Sequence, residues 1–571
     1  MSELQRPSSD LLAHLYVLQD ALERMHFPFA LRGADEISDV VADSRSQLRD
    51  YLIPRLENLS APLVCVVGGS TGAGKSAIVN SLVGENVVRS SAIRPTTRRP
   101  TLVFHPDDAE AFADARILPD LARVSGETDE HSSLTLELVP SQAIPAGLAL
   151  LDSPDIDSVV EENRQLASQL LAAADLWIFV TTAARYGDAI PWVILGEAAE
   201  RNIVLGIVLN RVPPGVGADV RADLASRLEK RALAHAPLFM IAEQQLEDGR
   251  LANADVESVR RWLMSIAEDE AARASVVRQT LHGAIHSLSG HASTILDGYG
   301  RQLATRDALR WDVDSAFAAA DEQFAQNVVD GSLLRGEVLS RWQDVVGTGE
   351  WMRRLEGGVS AIRDRLSSYF TTRTNPSTTQ IEFAIDDGVI ALLVERTEAA
   401  IAQALRAWES VGVAEALVKH VRENLRDRSE REAVAAELIH DWRADILEIV
   451  REQGTRKKTM ARALATSVNV VGVALIVVVF ASTGGLVGGE VAVAGGTAVV
   501  AQKLLEAIFG EDAVRRLARQ AKKLLDDRVE NFVRTDRRIF EDALESTDIS
   551  QEIKKELETA FAQIDREGKI R

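Results

Sequence analysis

The chain holds a single cysteine, Cys65, among 571 residues, which excludes an intramolecular disulfide and most cysteine metal sites. A reducing cytosol is the compartment such usage suggests. Aromatic residues are scarce at 5%, while Ala, Leu, Val, Glu and Arg dominate, a balance that favours long helices. Positive charge is short too: 64 Lys and Arg against 85 Asp and Glu leave a formal net charge of −21. Phosphate backbones require a basic face, so nucleic acid is not an expected partner. The ten histidines show no metal-ligand spacing, and Met1–Asp10 has no apolar stretch of the signal-peptide kind. A chain of this length, 46% hydrophobic and 26% charged, is ordered and divides into roughly two to four domains.

The run Gly69-Ser-Thr-Gly-Ala-Gly-Lys-Ser76 fits G-x-x-x-x-G-K-[ST] without a mismatch. The apolar Leu63–Val67 ahead of it reads as a buried strand, and Ala77–Val83 behind it reads as a helix. Glycines let backbone N–H groups wrap a phosphate chain, and the helix N-terminus adds partial positive charge. Gly69, Ser70, Thr71, Gly72, Ala73, Gly74, Lys75, Ser76 and Ala77 are therefore the expected cradle of a nucleoside triphosphate. In it Lys75 reaches the β- and γ-phosphates and the Ser76 hydroxyl takes a place on Mg²⁺.

Five segments are expected. Residues 1–60 read as helical and as packing with a stalk. Residues 61–270 alternate short apolar runs with helical stretches, which implies an α/β P-loop domain with a mostly parallel sheet covered on both faces. Further strands are expected at Leu102–Phe104, Leu134–Val139, Leu148–Leu151, Leu176–Val180, Ile203–Leu209 and Leu238–Ile241. From 271 to 460 the strand signal disappears, and Val389, Leu393, Ile401, Leu405 and Trp408 recur at helical spacing. This is an extended all-α bundle or stalk. Residues 461–505 form an apolar, glycine-rich helical hairpin, and 506–571 an amphipathic helical end.

The hairpin segment has no charge from Ala463 to Gly489. A helix needs about 20 apolar residues to cross a hydrocarbon core, so the first half is long enough and the second is short. Small residues such as Gly472, Ala474, Gly495 and Gly496 suit close helix contact in a bilayer. Arg456, Lys457, Lys458 and Arg462 precede the block and Arg515, Arg516, Arg519, Lys522 and Lys523 follow it, flanks that suit anionic lipids of the cytoplasmic leaflet. The alternative is a hairpin buried within the helical bundle.

Beyond the phosphate loop, Thr97-Arg-Arg-Pro100 stands at the distance of a switch loop, where Thr97 would ligate Mg²⁺ and sense the γ-phosphate. The strand Leu148-Ala-Leu-Leu-Asp-Ser-Pro154 ends in Asp152, the expected outer-sphere Mg²⁺ partner. On Val66-Val-Gly-Gly69 leading into the loop and on Thr97-Arg-Arg-Pro100, the chain resembles the dynamin-like large GTPases, and within them the bacterial dynamin-like proteins. The motif match covers roughly residues 60–245; the remainder matches in layout. The resemblance implies GTP and GDP as ligands with Mg²⁺, and hydrolysis in which Lys75, Thr97 and Thr71 act as catalytic positions. It also implies assembly with a second copy or a related GTPase, and membrane remodelling at the inner face of a bacterial membrane.

Three departures from the family pattern bear on activity. Thr71 and Gly72 stand where similar dynamins have the Gln-Ser that positions the attacking water. Asp152-Ser-Pro-Asp155 replaces Asp-x-Pro-Gly, setting a carboxylate where a glycine N–H would meet the γ-phosphate. The guanine motif [NT]-K-x-D is Asn210-Arg-Val-Pro213, so Asn210 and the Arg211 stem would hold the base without the aspartate that selects guanine. Two other readings stay open on these grounds. One is a nucleotide-regulated membrane scaffold with little hydrolysis; the other is a soluble ATPase with a buried apolar hairpin.

Overall fold

Leu63–Val67 carries β-branched residues and no charge, so it has no solvent face to offer. It forms β1 (Leu63–Gly69), buried at all seven positions. The computed structural model describes residues 9–88, 99–113, 117–119, 121–124, 135–157, 161–329, 376–455, 468–482 and 495–568. Around β1 gather β2 (Thr101–Phe104), β3 (Ala122–Val124), β4 (Thr135–Pro140), β5 (Leu148–Asp152), β6 (Leu176–Thr182), β7 (Val204–Val212) and β8 (Leu238–Ala242). The sheet order is β3-β4-β2-β5-β1-β6-β7-β8. Among the described strands only the β2–β5 pairing is antiparallel. The sheet is thus the mostly parallel one that alternating strands and helices imply. Strand β3, three residues without a periodic signal, was not expected, and Leu134 lies outside the described residues.

The chain falls into two compact units. One comprises Met1–Phe27, Arg32–Arg301 and Ser550–Arg571, the other Pro28–Leu31 and Gln302–Ile549. In the first, the sheet is joined by the helices Ser9–Glu23, Ala34–Gln47 and Ile53–Glu57, a π-helical turn at Leu48–Leu52 linking the last two. The stretch 10–57 is therefore helical with a break at 24–33. Pro28 lies in that break, where it removes a backbone donor and disfavours the helical conformation of Phe27. The helix Ser9–Glu23 buries Leu11, Leu15, Leu18 and Leu22 and lies against the helix Gln551–Glu567. Arg24 pairs with Glu556 across that contact, and His14 stands 3.8 Å from Glu567.

Asp175, fully buried at the head of β6, ties several of these pieces together. Its carboxylate accepts from the Val64 N–H at 2.8 Å, from the Tyr51 hydroxyl at 3.2 Å and from the Arg55 guanidinium. Its backbone carbonyl accepts from the Thr280 hydroxyl at 2.9 Å, and its N–H donates to the Val64 carbonyl at 3.0 Å. Burial pushes the carboxyl above the usual carboxylate range, with Arg55, the Val64 N–H and Tyr51 pulling it back. The Cys65 thiol is buried in β1, and burial raises it as well, which suits a small core side chain.

The second unit is helical. It contains residues 302–329 of the helix Glu270–Val329 together with Pro376–Val411, Glu415–Asn424, Arg428–Thr455, Val468–Ser482, Gly495–Phe509 and Glu511–Glu545. Val389, Leu393, Ile401 and Trp408 are buried along one stripe, as the spacing implies. Trp408 meets Phe540 edge-on at 5.2 Å and Phe540 meets Phe317 at 6.0 Å, while the Trp408 indole N–H donates to the Leu309 carbonyl at 2.9 Å. The apolar helix Val468–Ser482 lies against Pro376–Val411, Arg428–Thr455, Gly495–Phe509 and Glu511–Glu545. Every residue from 471 to 480 is buried there. Phe480 packs on Trp442 at 5.8 Å, and Gly472 stands where a Cβ would lie 2.8 Å from Leu447 Cδ2. A helix apolar all round is buried all round, and that is how this one sits. Residues 456–467 and 483–494, with the whole of the preceding basic flank and the glycine hinge, lie outside the described residues. Among the described residues no helix is long and apolar enough to cross a membrane.

Removing the Asp175 carboxylate leaves Arg55 buried without its counter-ion. Asp175→Ala is expected to destabilise the first unit by about 3–5 kcal/mol, against about 1 kcal/mol for Tyr51→Phe. Urea unfolding of the full chain, followed at the transition that also loses nucleotide binding, checks both. Equal and small losses would assign the pair no structural part.

Candidate functional site

Two backbone positions decide the shape of the loop after β1. Gly69 has φ +149°, and a Cβ there would lie 1.9 Å from the Val180 carbonyl oxygen, so only glycine lets β1 end against β6. Gly74 has φ +93° at the start of the helix Lys75–Val83, and a Cβ there would lie 2.7 Å from Asn210 Nδ2. Between them the chain turns on itself. The Ser70 N–H donates to the Val180 carbonyl at 3.2 Å and the Ala73 N–H to the Ser70 carbonyl at 3.1 Å. From the end of β7, Asn210 Nδ2 donates to the Ala73 carbonyl at 2.8 Å, and Asn210 Oδ1 accepts from the Arg211 N–H at 2.9 Å. Arg211 itself is exposed at φ +52°, where the β7–β8 register slips. The loop thus lies at the carboxyl ends of β1, β5, β6 and β7, where open α/β sheets bind ligands.

Lys75, Ser76 and Thr71 of the loop each meet a carboxylate. Lys75, 5% exposed, donates from Nζ to the Gly69 and Ser70 carbonyls at 3.1 and 3.2 Å and pairs with Asp155. The Ser76 hydroxyl donates to Asp152 Oδ2 at 2.6 Å. Asp152 is fully buried, and burial pushes its carboxyl up to about 6; the Ser76 hydrogen bond and the Lys75 charge oppose the rise, and Asp155 adds to it. Among the described residues its other oxygen, Oδ1, has no hydrogen-bond partner, nor do the buried hydroxyls of Ser70 and Thr181. Thr71 gives both its N–H and its hydroxyl to Asp157 Oδ1, at 2.5 and 2.7 Å. The second Asp157 oxygen accepts from Arg185 Nη1 at 2.8 Å.

Gly69 through Ala77, Asp152, Asn210 and Arg211 are therefore brought to one place. Thr97 lies outside the described residues. Sequence reading missed Asp157 and Arg185, and it saw Asp155 as a departure in a motif without seeing its ion pair. The arrangement offers a glycine-shaped loop with backbone N–H groups and a buried ammonium, the means to hold an anion. Beside it, the Ser76 hydroxyl and the buried Asp152 carboxylate, whose Oδ1 has no partner among the described residues, are hard oxygen donors of the kind Mg²⁺ takes.

Residues 64–188 match the model of the Dynamin family. A probable chloroplastic transmembrane FZO-like GTPase of Arabidopsis thaliana is 23% identical over 135 residues, 24% of this chain and 13% of its own length. The alignment thus spans well under two thirds of that relative. Among solved structures, an oligomerised bacterial dynamin pair is 11% identical, covering 100% of this chain and 95% of its own at a TM-score of 0.38. Toc33 from Arabidopsis thaliana, in complex with Mg²⁺ and GMPPNP, is 14% identical, covering 43% of this chain and 92% of its own at a TM-score of 0.22. At TM-scores this low neither structural likeness carries an argument.

Lys75→Ala removes the ammonium from the loop and is expected to weaken nucleoside triphosphate binding by about 1.5–3 kcal/mol, the range for hydrogen bonds to charged groups. Asn210→Ala frees the Ala73 carbonyl and costs about 1 kcal/mol of the same affinity. Titration of a fluorescent nucleotide in Mg²⁺ reads both. An unchanged Lys75→Ala titration would show that the loop is not the binding site.

Proposed function

We propose that this chain, a member of the dynamin family through its residues 64–188, binds GTP with Mg²⁺, hydrolyses it to GDP and couples the cycle to membrane association. The observation that carries the reading is the phosphate loop with Lys75 inside it and the Ser76–Asp152 pair beside it. Gly69 to Ala77 wrap the phosphates, with Lys75 on the β- and γ-oxygens. Ser76, Asp152 and Thr97 hold Mg²⁺, which when bound neutralises charge on the β- and γ-phosphates. Thr71 would act as a catalytic position near the terminal phosphate. Asn210 and the Arg211 stem support the base, and the family rather than a contact argues for guanine. The curated relative is named a GTPase and transmembrane, which supports both halves of the reading.

The membrane part rests on residues 461–505 and their basic flanks, addressed to anionic lipids of the cytoplasmic leaflet. Basic flanks on both sides favour a re-entrant or two-pass hairpin with both ends at the cytoplasmic face over a single crossing. The burial of 471–480 among other helices favours a second reading, in which the apolar helix is core and the chain a soluble nucleotide hydrolase. Assembly with a second copy or a related GTPase belongs to the proposal because Thr71 and Gly72 leave the attacking water poorly positioned. Slow basal turnover, or a scaffold with little turnover, follows from the same gap.

Steady-state hydrolysis of GTP and ATP with and without anionic liposomes, paired with flotation, tests the whole. Expected is slow GTP turnover that rises about tenfold or more with lipid or protein concentration, an acceleration worth roughly 1.4 kcal/mol. Wild-type protein that turns over GTP but never floats leaves the soluble reading, and equal use of ATP removes guanine selection.

A further inference from the structure

Two cations and one backbone N–H in the phosphate loop region are each met by a carboxylate oxygen. Lys75 meets Asp155, and the Thr71 N–H and Arg185 Nη1 meet the two oxygens of Asp157. A carboxylate that accepts from a loop N–H and from a guanidinium stands in an anion position, and a phosphate offers the same oxygens with more charge. Arg185 reaches that position from a turn after β6. Its N–H and that of Tyr186 both donate to the Thr182 carbonyl, at 3.0 and 2.9 Å, and the Asp188 N–H donates to the Arg185 carbonyl at 3.0 Å. Since β6 pairs with β1 as far as Val180 and Gly69, the turn is set beside the start of the phosphate loop. The backbone of Arg185 is fixed, while its side chain stays 38% exposed and able to swing.

We infer that Arg185 is a catalytic residue, a guanidinium supplied by this same chain that leaves Asp157 for the terminal phosphate of the bound triphosphate. The inference rests on the reading of the site as a GTP hydrolase and adds charge stabilisation, a contribution separate from the water-positioning group that Thr71 and Gly72 replace. In the reaction a water oxygen bonds to the γ-phosphorus while the bond from that phosphorus to the β–γ bridging oxygen breaks. The electron pair stays on the bridging oxygen of GDP, one proton of the water remains on the released phosphate and the other passes to solvent. Charge grows on the bridging and γ-oxygens in this transition state, and a planar guanidinium meets two of them at once. Asp157 positions Arg185, keeping it within a side-chain rotation of its target and tied through Thr71 to the loop.

Full-length Arg185→Ala and Arg185→Lys, compared with wild type, test the assignment. GTP turnover, affinity for GDP, affinity for a slowly hydrolysed GTP analogue, and GDP binding in the presence of aluminium fluoride are measured together. Arg185→Ala is expected to lower kcat by about 100-fold or more. It should also weaken the GTP analogue by about tenfold and abolish the aluminium fluoride effect, with GDP affinity and melting temperature unchanged. Arg185→Lys should recover only a small part, because one ammonium cannot replace the fork. Equal weakening of GDP and the GTP analogue would reduce Arg185 to a structural residue, and unchanged turnover and analogue binding would remove it altogether. Should wild type hydrolyse no GTP under any condition, the hydrolase reading fails. The difference between analogue and GDP affinities then still decides whether Arg185 meets the terminal phosphate.

Discussion

The start of β1 is held by one buried carboxylate. Asp175 exchanges backbone and side-chain hydrogen bonds with Val64, takes the Arg55 guanidinium and the Tyr51 hydroxyl, and receives the Thr280 hydroxyl on its carbonyl. A buried charge is costly unless it is paired and hydrogen-bonded, and here the pairing fixes the geometry of three separate pieces of chain. Once Val64 is registered against the head of β6, the parallel ladder carries the register to Gly69 and Val180. There the Val180 carbonyl meets the Ser70 N–H and leaves no room for a Cβ on Gly69. The placement of the phosphate loop is thus decided at the opposite end of its strand.

At the site, cations and carboxylates come in balanced pairs. Lys75 with Asp155 and Arg185 with Asp157 place charges of both signs within a few ångströms, the first pair buried and the second with Arg185 partly exposed. Such pairs return little net stability, because desolvation consumes most of the attraction. They do hold Lys75 and Arg185 in defined positions. A ligand with several anionic oxygens takes over these partners without a new charge having to be buried alone.

Legibility in the sequence followed the range of the interactions. The phosphate loop, its strand and its helix are written in consecutive residues, so glycine spacing and an apolar run were enough. Seven of the eight strands were visible for the same reason, and β3 was not, since Ala122–Val124 owes its conformation to pairing with β4 alone. Asp157 and Arg185 were invisible because their contacts join positions 86 and 28 residues apart. The apolar stretch around Val471–Phe480 shows a different limit. An uncharged run is equally suited to lipid and to the middle of a helical bundle, and only its neighbours distinguish the two.

The helices Ser9–Glu23 and Gln551–Glu567 lie against each other in the first unit, although they come from opposite ends of the described chain. During synthesis the early helix emerges long before its partner exists, and for that interval Leu11, Leu15, Leu18 and Leu22 lack the surface that later covers them. The intervening segment Gln302–Ile549 has its own core and can collapse first, as later domains of a growing chain ordinarily do not. Closure of the nucleotide-binding unit thereby waits on the last helix of the described chain to be made.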